Sequence, residues 1–352
     1  MKILVVNPGS TSTKIGVFED ENLVLEKVLR HSMEELEKFD KITEQFSFRK
    51  GFIIEALNEA GISEKDLDAV VGMGGLIKPV TSGTYTVNEA LAADLRSGAY
   101  GEHASNLGGL IAYDIGQAID KPAFIVDPVV VDEFKEISRI SGNPLLERRS
   151  IFHALNQKAI AKQYAKEIGK KYTDLNLVVT HMGGGISVGI HEKGLVIDAN
   201  NALDGEGPFT PERSGGVPVG QLAALCFSGK YTHDEVKKMI KGSGGLVAYF
   251  NSNDCKEIED KMDTDPKAKL IIDALIYQVS KEIAAASVAV CGKVDAILIT
   301  GGIAYSKYIF GEIEKRVSFI APVKRYPGED ELKALAFGAI RVLTGEEEPK
   351  IY

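Results

Sequence analysis

Two segments near the start of this chain echo two others further along it, and that repetition constrains the fold more than any other feature. Residues 2–27, KILVVNPGSTSTKIGVFEDENLVLEK, read as β-branched-rich strands joined by a Gly/Ser/Thr turn, with a second turn at Asp20 to Asn22. Residues 177–197, LVVTHMGGGISVGIHEKGLVI, read the same way. Val5-Val6 recurs as Val178-Val179, and Gly16-Val17 as Gly189-Ile190, at one common offset. A second echo sets DAVVGMGG at 68–75 against DAILITGG at 295–302, in each case a buried strand running into Gly-Gly. Any α/β protein contains apolar strands followed by glycines, but here order and residue types repeat together, which points to duplication.

Between these units, apolar residues recur at helical spacing over 151–168 and 268–291. The expected class is α/β with two similar lobes. Near 130–150 the strand AFIVDPVVV gives way to a charged, turn-rich stretch ending in Glu147, Arg148 and Arg149, where the lobes would divide. The first lobe is expected over 1–149 plus 331–352, with a C-terminal helix around 330–343 returning to it, and the second over 150–330.

A chain of 352 residues that is 44% hydrophobic and 26% charged can bury two cores and lies outside the disordered range. It has no run of 18 apolar residues and no signal-peptide pattern, so a soluble cytoplasmic protein without a membrane partner is expected. Cys226, Cys255 and Cys291 show neither CxxC nor ligand spacing, which disfavours disulfides and zinc. A net charge of −9 argues against a nucleic-acid partner, so an anionic substrate must be met by local cations.

A Gly/Ser/Thr turn between strands exposes successive N–H groups that a phosphate can approach. In the first hairpin Ser10, Thr11, Ser12 and Thr13 add hydroxyls and Lys14 a charge, although a strand lysine more often simply reaches solvent. In the second, Gly183, Gly184 and Gly185 leave room for the phosphates of ATP, with His181 beside them. Gly301 and Gly302, in the TGGI turn, could hold adenosine or could be a tight β-to-α turn. There is no GxxxxGK[ST] run and no GxGxxG between strand and helix, so neither a P-loop nor a nicotinamide or flavin site is expected.

NPGSTSTK at 7–14, DPVVVDEF at 127–134, FHALNQKA at 152–159, THMGGGIS at 180–187, PERSGG at 211–216 and TGGIAYS at 300–306 together resemble the acetate and butyrate kinase family, nearest its butyrate branch, essentially end to end. The resemblance implies two duplicated ribonuclease H-like lobes of the actin, hexokinase and acetate kinase superfold, with an active-site cleft. It implies ATP-dependent, magnesium-requiring phosphorylation of butyrate or a related short-chain acid by a homo-oligomer. The first lobe would then carry the acid and the second ATP. By motif, Asn7 would lie near the metal, Ser10, Ser12 and Lys14 would form the first phosphate loop, and His181 with Gly183, Gly184 and Gly185 the second. His153 would contact the transferring phosphoryl group, with Arg213 and Asp127 as active-site residues. Of Glu329, Asp330 and Glu331, the last is the expected magnesium-linked carboxylate, although an acidic first turn also suits a helix dipole.

The chain departs from that family before Gly74-Gly75, where resembling enzymes carry arginine and this one has Met73. Lys78 could supply the missing charge, and Met73, Leu76 and Ile77 could line an alkyl pocket, although Leu76 and Ile77 could equally be core. A fatty-acid carboxylate titrates near about 4 to 4.5 and is ionised at neutral pH, so no general base is needed. Asp127 is therefore expected to position magnesium, Arg213 or water. His153 would donate to phosphoryl oxygens unless it is merely a buried helix histidine. A sugar or polyol kinase of the same superfold, or an actin-like ATPase, is the competing class.

Overall fold

The computed structural model describes residues 1–352, which divide into two compact units, Met1–Asp132 with Asp330–Tyr352, and Glu133–Glu329. In the first unit, β1 (Lys2–Pro8) and β2 (Ser12–Glu19) form the expected hairpin, with Val5 opposite Gly16 and Pro8 opposite Thr13. β3 (Asn22–Arg30) extends it. β4 (Ala69–Gly72) pairs in parallel with β1, β6 (Ala123–Val126) with β4, and β5 (Thr84–Thr86) runs antiparallel to β6. The strand Lys350–Ile351 closes the far edge beside β5. Ile3, Leu4, Val5 and Val6 are all fully buried, as a strand covered on both faces requires.

The second unit repeats this order. β7 (Asn176–Met182) and β8 (Ile186–Glu192) form a hairpin, β9 (Leu195–Ala199) extends it, and β10 (Ala296–Gly301) lies parallel to β7 with β11 (Val323–Pro327) beyond. The order β3-β2-β1-β4-β6 thus recurs as β9-β8-β7-β10-β11, with the same parallel and antiparallel senses. The duplication read from sequence is a duplication of topology. The turn between β7 and β8 is one residue shorter than that between β1 and β2, since Met182 pairs with Ile186 whereas Pro8 pairs with Thr13.

The helices follow from caps and apolar faces. Asp265 accepts from the Lys267 N–H with Pro266 in the first turn, starting the helix Pro266–Ser287, which buries Ile272, Leu275, Ile276, Val279 and Ile283. Each such aliphatic side chain contributes roughly 1.5–3 kcal/mol on burial. Asp330 accepts from the Lys333 N–H and starts Glu331–Leu343, which buries Leu332, Leu335, Ala336 and Ala339 in the first unit. The helix Asn106–Ala118 runs against β4, and a Cβ on Gly72 would lie 2.1 Å from the Gly108 carbonyl oxygen, so glycine there sets how closely helix and sheet approach.

Residues 133–149, expected in the first lobe, belong to the second unit. Glu133 and Lys158 form an ion pair of 2.6 Å with side chains 2% and 0% exposed, and Glu133 also accepts from the Val196 N–H. A buried carboxylate must stay with its cation, and that cation lies on the helix Ala154–Glu167. Arg148 likewise bonds Asp198, Glu206 and the Ala199 carbonyl. No helix is long and apolar enough to cross a membrane.

Candidate active site

In the first unit, the turn after β1 is built on a residue that no motif singled out. Arg49, 1% exposed on the helix Phe46–Glu59, donates to the carbonyls of Gly9, Ser10 and Ser12 at 2.8–2.9 Å and to Thr13 Oγ1 and Gln45 Oε1. Every one of these acceptors is uncharged, and burial pulls the guanidinium pKa downward. With its carbonyls drawn inward to Arg49, the turn stands over a buried cation, a setting suited to an anion. In sequence Arg49 is one of 41 lysines and arginines, and nothing distinguishes it.

Asn7, at the end of β1, donates through Nδ2 to Glu331 Oε2 at 2.5 Å. The three acidic candidates are thereby separated. Asp330 caps its helix, Glu329 lies with Oε2 3.6 Å from His181 Nε2, and Glu331 joins Asn7. Lys14 is paired with Glu26 at 2.8 Å on the neighbouring strand, the ordinary arrangement of a half-exposed strand lysine. Asp127 is buried with φ 39°, a conformation uncommon for a non-glycine residue, and exchanges two bonds with Gly83. Lys78 stands 4.0 Å over the ring of Tyr352. Ile77 is core, and Met73 and Leu76 are partly buried.

In the second unit the predicted residues converge. The imidazoles of His153 and His181 stack at 3.9 Å with planes 16° apart. His153 Nδ1 is 2.8 Å from Ser187 Oγ, and His181 Nδ1 is 2.8 Å from Asn156 Oδ1. Burial first, and then the Arg213 charge, hold His181 down at about 3; burial, His181 and Arg213 together hold His153 well below the usual range. Both rings are neutral at pH 7. The 3.6 Å approach of Glu329 to His181 does not outweigh this, because Glu329 is 42% exposed and screened by water while His181 is 2% exposed.

Arg213 donates to the Ala202 carbonyl at 2.6 Å, and a Cβ on Gly185 would lie 1.9 Å from its Nη1. The third glycine of the turn therefore makes room for the arginine. Thr210, three residues earlier, ties the loop to the turn by donating to the Gly184 carbonyl. Gly183 and Gly184 line a pocket of about 750 Å³ with Gly302, Ser306, Lys256 and Lys307, large enough for a nucleotide. Gly301 sits behind it at φ 90°, exchanging bonds with Gly328. Asn156 and Ser187 lie within or at the end of the FHALNQKA and THMGGGIS motifs, where their spacing from the histidines was the available signal.

Residues 137–313 match the model of the acetokinase family. Along its whole length the chain is 60% identical to butyrate kinase 1 of Clostridium acetobutylicum, covering 99% of that protein. Its fold is that of the acetate kinase of Porphyromonas gingivalis, with a TM-score of 0.77 at 19% identity over 97% of this chain and 99% of that one. A propionate kinase from Francisella tularensis gives 0.70 at 19% identity over 95% and 98%. With the motifs, the repeated topology and a 60% identical relative matched end to end, this chain belongs to the acetokinase family.

Proposed function

We propose that this chain transfers the γ-phosphoryl group of ATP to the carboxylate of butyrate, giving butyryl phosphate and ADP. The observation that carries the reading is the convergence of a glycine turn, a half-buried arginine and two neutral histidines on one unit of a chain 60% identical to a butyrate kinase. A carboxylate oxygen forms the new bond to phosphorus as the bond to the β-γ bridging oxygen breaks, and the electron pair leaves on ADP. The nucleophile is already ionised, so no proton has to be removed. Arg213 offsets charge growing on the equatorial oxygens, and His153 donates a hydrogen bond to them. The pocket beside Gly183, Gly184 and Gly302 holds the nucleotide.

Asn7 and Glu331, both in the first unit, offer side-chain oxygens, the hard donors that magnesium takes, so these two residues would hold the ion. Magnesium would supply charge neutralisation for phosphoryl transfer. Asp127 is assigned to holding the turn at Gly83 in position. Branched and five-carbon acids follow butyrate in preference, since one methylene is worth about 1–3 kcal/mol. A homo-oligomer is inferred, supported by the apolar run Val219–Phe227, whose ends are 79% and 92% exposed.

Phosphorus NMR of the protein with ATP, magnesium and butyrate tests the reaction. An acyl phosphate resonance growing in step with ADP is expected. ADP appearing at the same rate without butyrate would contradict it.

A further inference from the structure

The inference drawn here rests on the reading of His153 as a phosphoryl donor and concerns what fixes its proton. Behind His153 lies a buried chain of hydrogen bonds that the reaction does not touch. His153 Nδ1 meets Ser187 Oγ at 2.8 Å, and Ser187 Oγ meets Gln157 Nε2 at 2.9 Å. Gln157 Oε1 meets His191 Nε2 at 3.0 Å, and His191 Nδ1 meets the Tyr172 hydroxyl at 2.6 Å. Ser187, Gln157 and His191 are each fully buried, and a Cβ on Gly189 would lie 2.4 Å from Gln157 Oε1, so the backbone of β8 leaves a place for that amide.

One group sets the direction of the whole chain. Gln157 Nε2 also faces the Ser187 carbonyl oxygen at 3.1 Å, and a carbonyl can only accept. The amide nitrogen must therefore point at Ser187, where its two hydrogens go to the carbonyl and the hydroxyl. Gln157 Oε1 then faces His191 and accepts a hydrogen bond from its Nε2–H, which leaves His191 Nδ1 to accept from Tyr172. Burial and the nearby Lys158 charge keep His191 neutral, as that arrangement needs. At the other end, Ser187 Oγ already accepts from Gln157 and, at 3.4 Å, from the His153 backbone N–H. Its own hydrogen goes to His153 Nδ1. A neutral imidazole that accepts at Nδ1 carries its proton on Nε2.

We propose that Ser187, Gln157 and His191 are positioning residues that lock His153 as the Nε2–H tautomer, so that the ring presents a donor to the phosphoryl oxygens before substrate arrives. The stacked His181 is held in the opposite tautomer, because its Nδ1 faces Asn156 Oδ1, an acceptor. A ring with the wrong tautomer would turn a lone pair toward anionic oxygens, so the lock acts on the transition state rather than on nucleotide binding.

Two-bond ¹H–¹⁵N spectra of the ¹⁵N-histidine-labelled protein without substrate, assigned with single His→Gln variants, read the tautomers directly. Wild type is expected to show His153 and His191 protonated at Nε2 and His181 at Nδ1. Ser187→Ala is expected to leave the fold and the KM for ATP unchanged, to average the His153 signals between tautomers, and to lower kcat about tenfold. Ser187→Cys, which keeps a weak donor, should recover part of both. A wild-type His153 protonated at Nδ1 overturns the proposal even if the protein makes acyl phosphate. So does a Ser187→Ala protein with unaltered His153 signals, or one whose whole loss lies in KM. If no acyl phosphate forms with any acid, the function fails while the spectra still judge the lock.

Discussion

His153 and His181 stack ring on ring at 3.9 Å, so the two cannot both carry a proton's charge. With the buried His191 they form a set of three imidazoles held neutral by desolvation. An unfolded histidine titrates near 6.5, whereas these stay unprotonated in the folded chain far below that. As pH falls through 6.5 the unfolded state binds protons that the folded state does not, so stability is full above that point and lost below it, for His181 down to about 3. Each histidine contributes a slope of about 1.4 kcal/mol per pH unit once well below 6.5. Urea denaturation at pH 7.5, 6 and 5 should show a steepening loss, and equal stability at pH 7.5 and 5 would mean that the rings are charged in the folded protein.

Gly185→Ala places a methyl where Arg213 Nη1 now lies. The guanidinium is the end of a flexible side chain, so the chain should fold normally and lose the arginine's placement. A fall in kcat of roughly 10²–10³ is expected, comparable to deleting a preorganised donor. Arg213→Ala should cost about as much, and the double variant little more. Losses that simply add would show the two substitutions acting at separate places.

Asp330, Glu331 and Glu329 are adjacent in sequence and differ in employment. Glu331→Gln keeps an acceptor for Asn7 but loses charge, and should raise the magnesium concentration for half-maximal activity about tenfold at unchanged stability. Asp330→Ala should lose about 1 kcal/mol as an N-cap and leave the magnesium dependence alone. The reverse pattern in magnesium titrations would move the metal to Asp330.

Much of this was readable beforehand and some was not. The hairpins and Gly-Gly strands showed in sequence because strand period and turn glycines are local signals, and the helices expected over 151–168, over 268–291 and around 330–343, found at 154–167, 266–287 and 331–343, showed because apolar spacing is local too. The division after Asp132 was hidden, since it depends on Glu133 meeting Lys158, a pairing set by tertiary structure. Lys14 read as a phosphate ligand from its place after the turn, and its ion pair with Glu26 is visible only once β3 lies alongside. The same holds for Lys78 and Tyr352, which meet across 274 residues.

Arg49 was the residue least visible in sequence. Arg49→Met removes the cation, leaves the carbonyls of Gly9 and Ser10 without the guanidinium and leaves that of Ser12 with the Gly9 N–H alone, a loss of about 3 kcal/mol of stability. Arg49→Lys keeps the charge but not the planar fork, and should recover only part. Thermal denaturation of the three proteins orders them, and a Met variant as stable as wild type would remove Arg49 as the support of the turn.

The most direct test is trapping by hydroxylamine, with ATP, magnesium and straight and branched acids of two to six carbons. Hydroxamate that depends on the acid and is greatest at four carbons is the expected result. ATP turnover that yields no hydroxamate with any acid would contradict carboxylate phosphorylation outright.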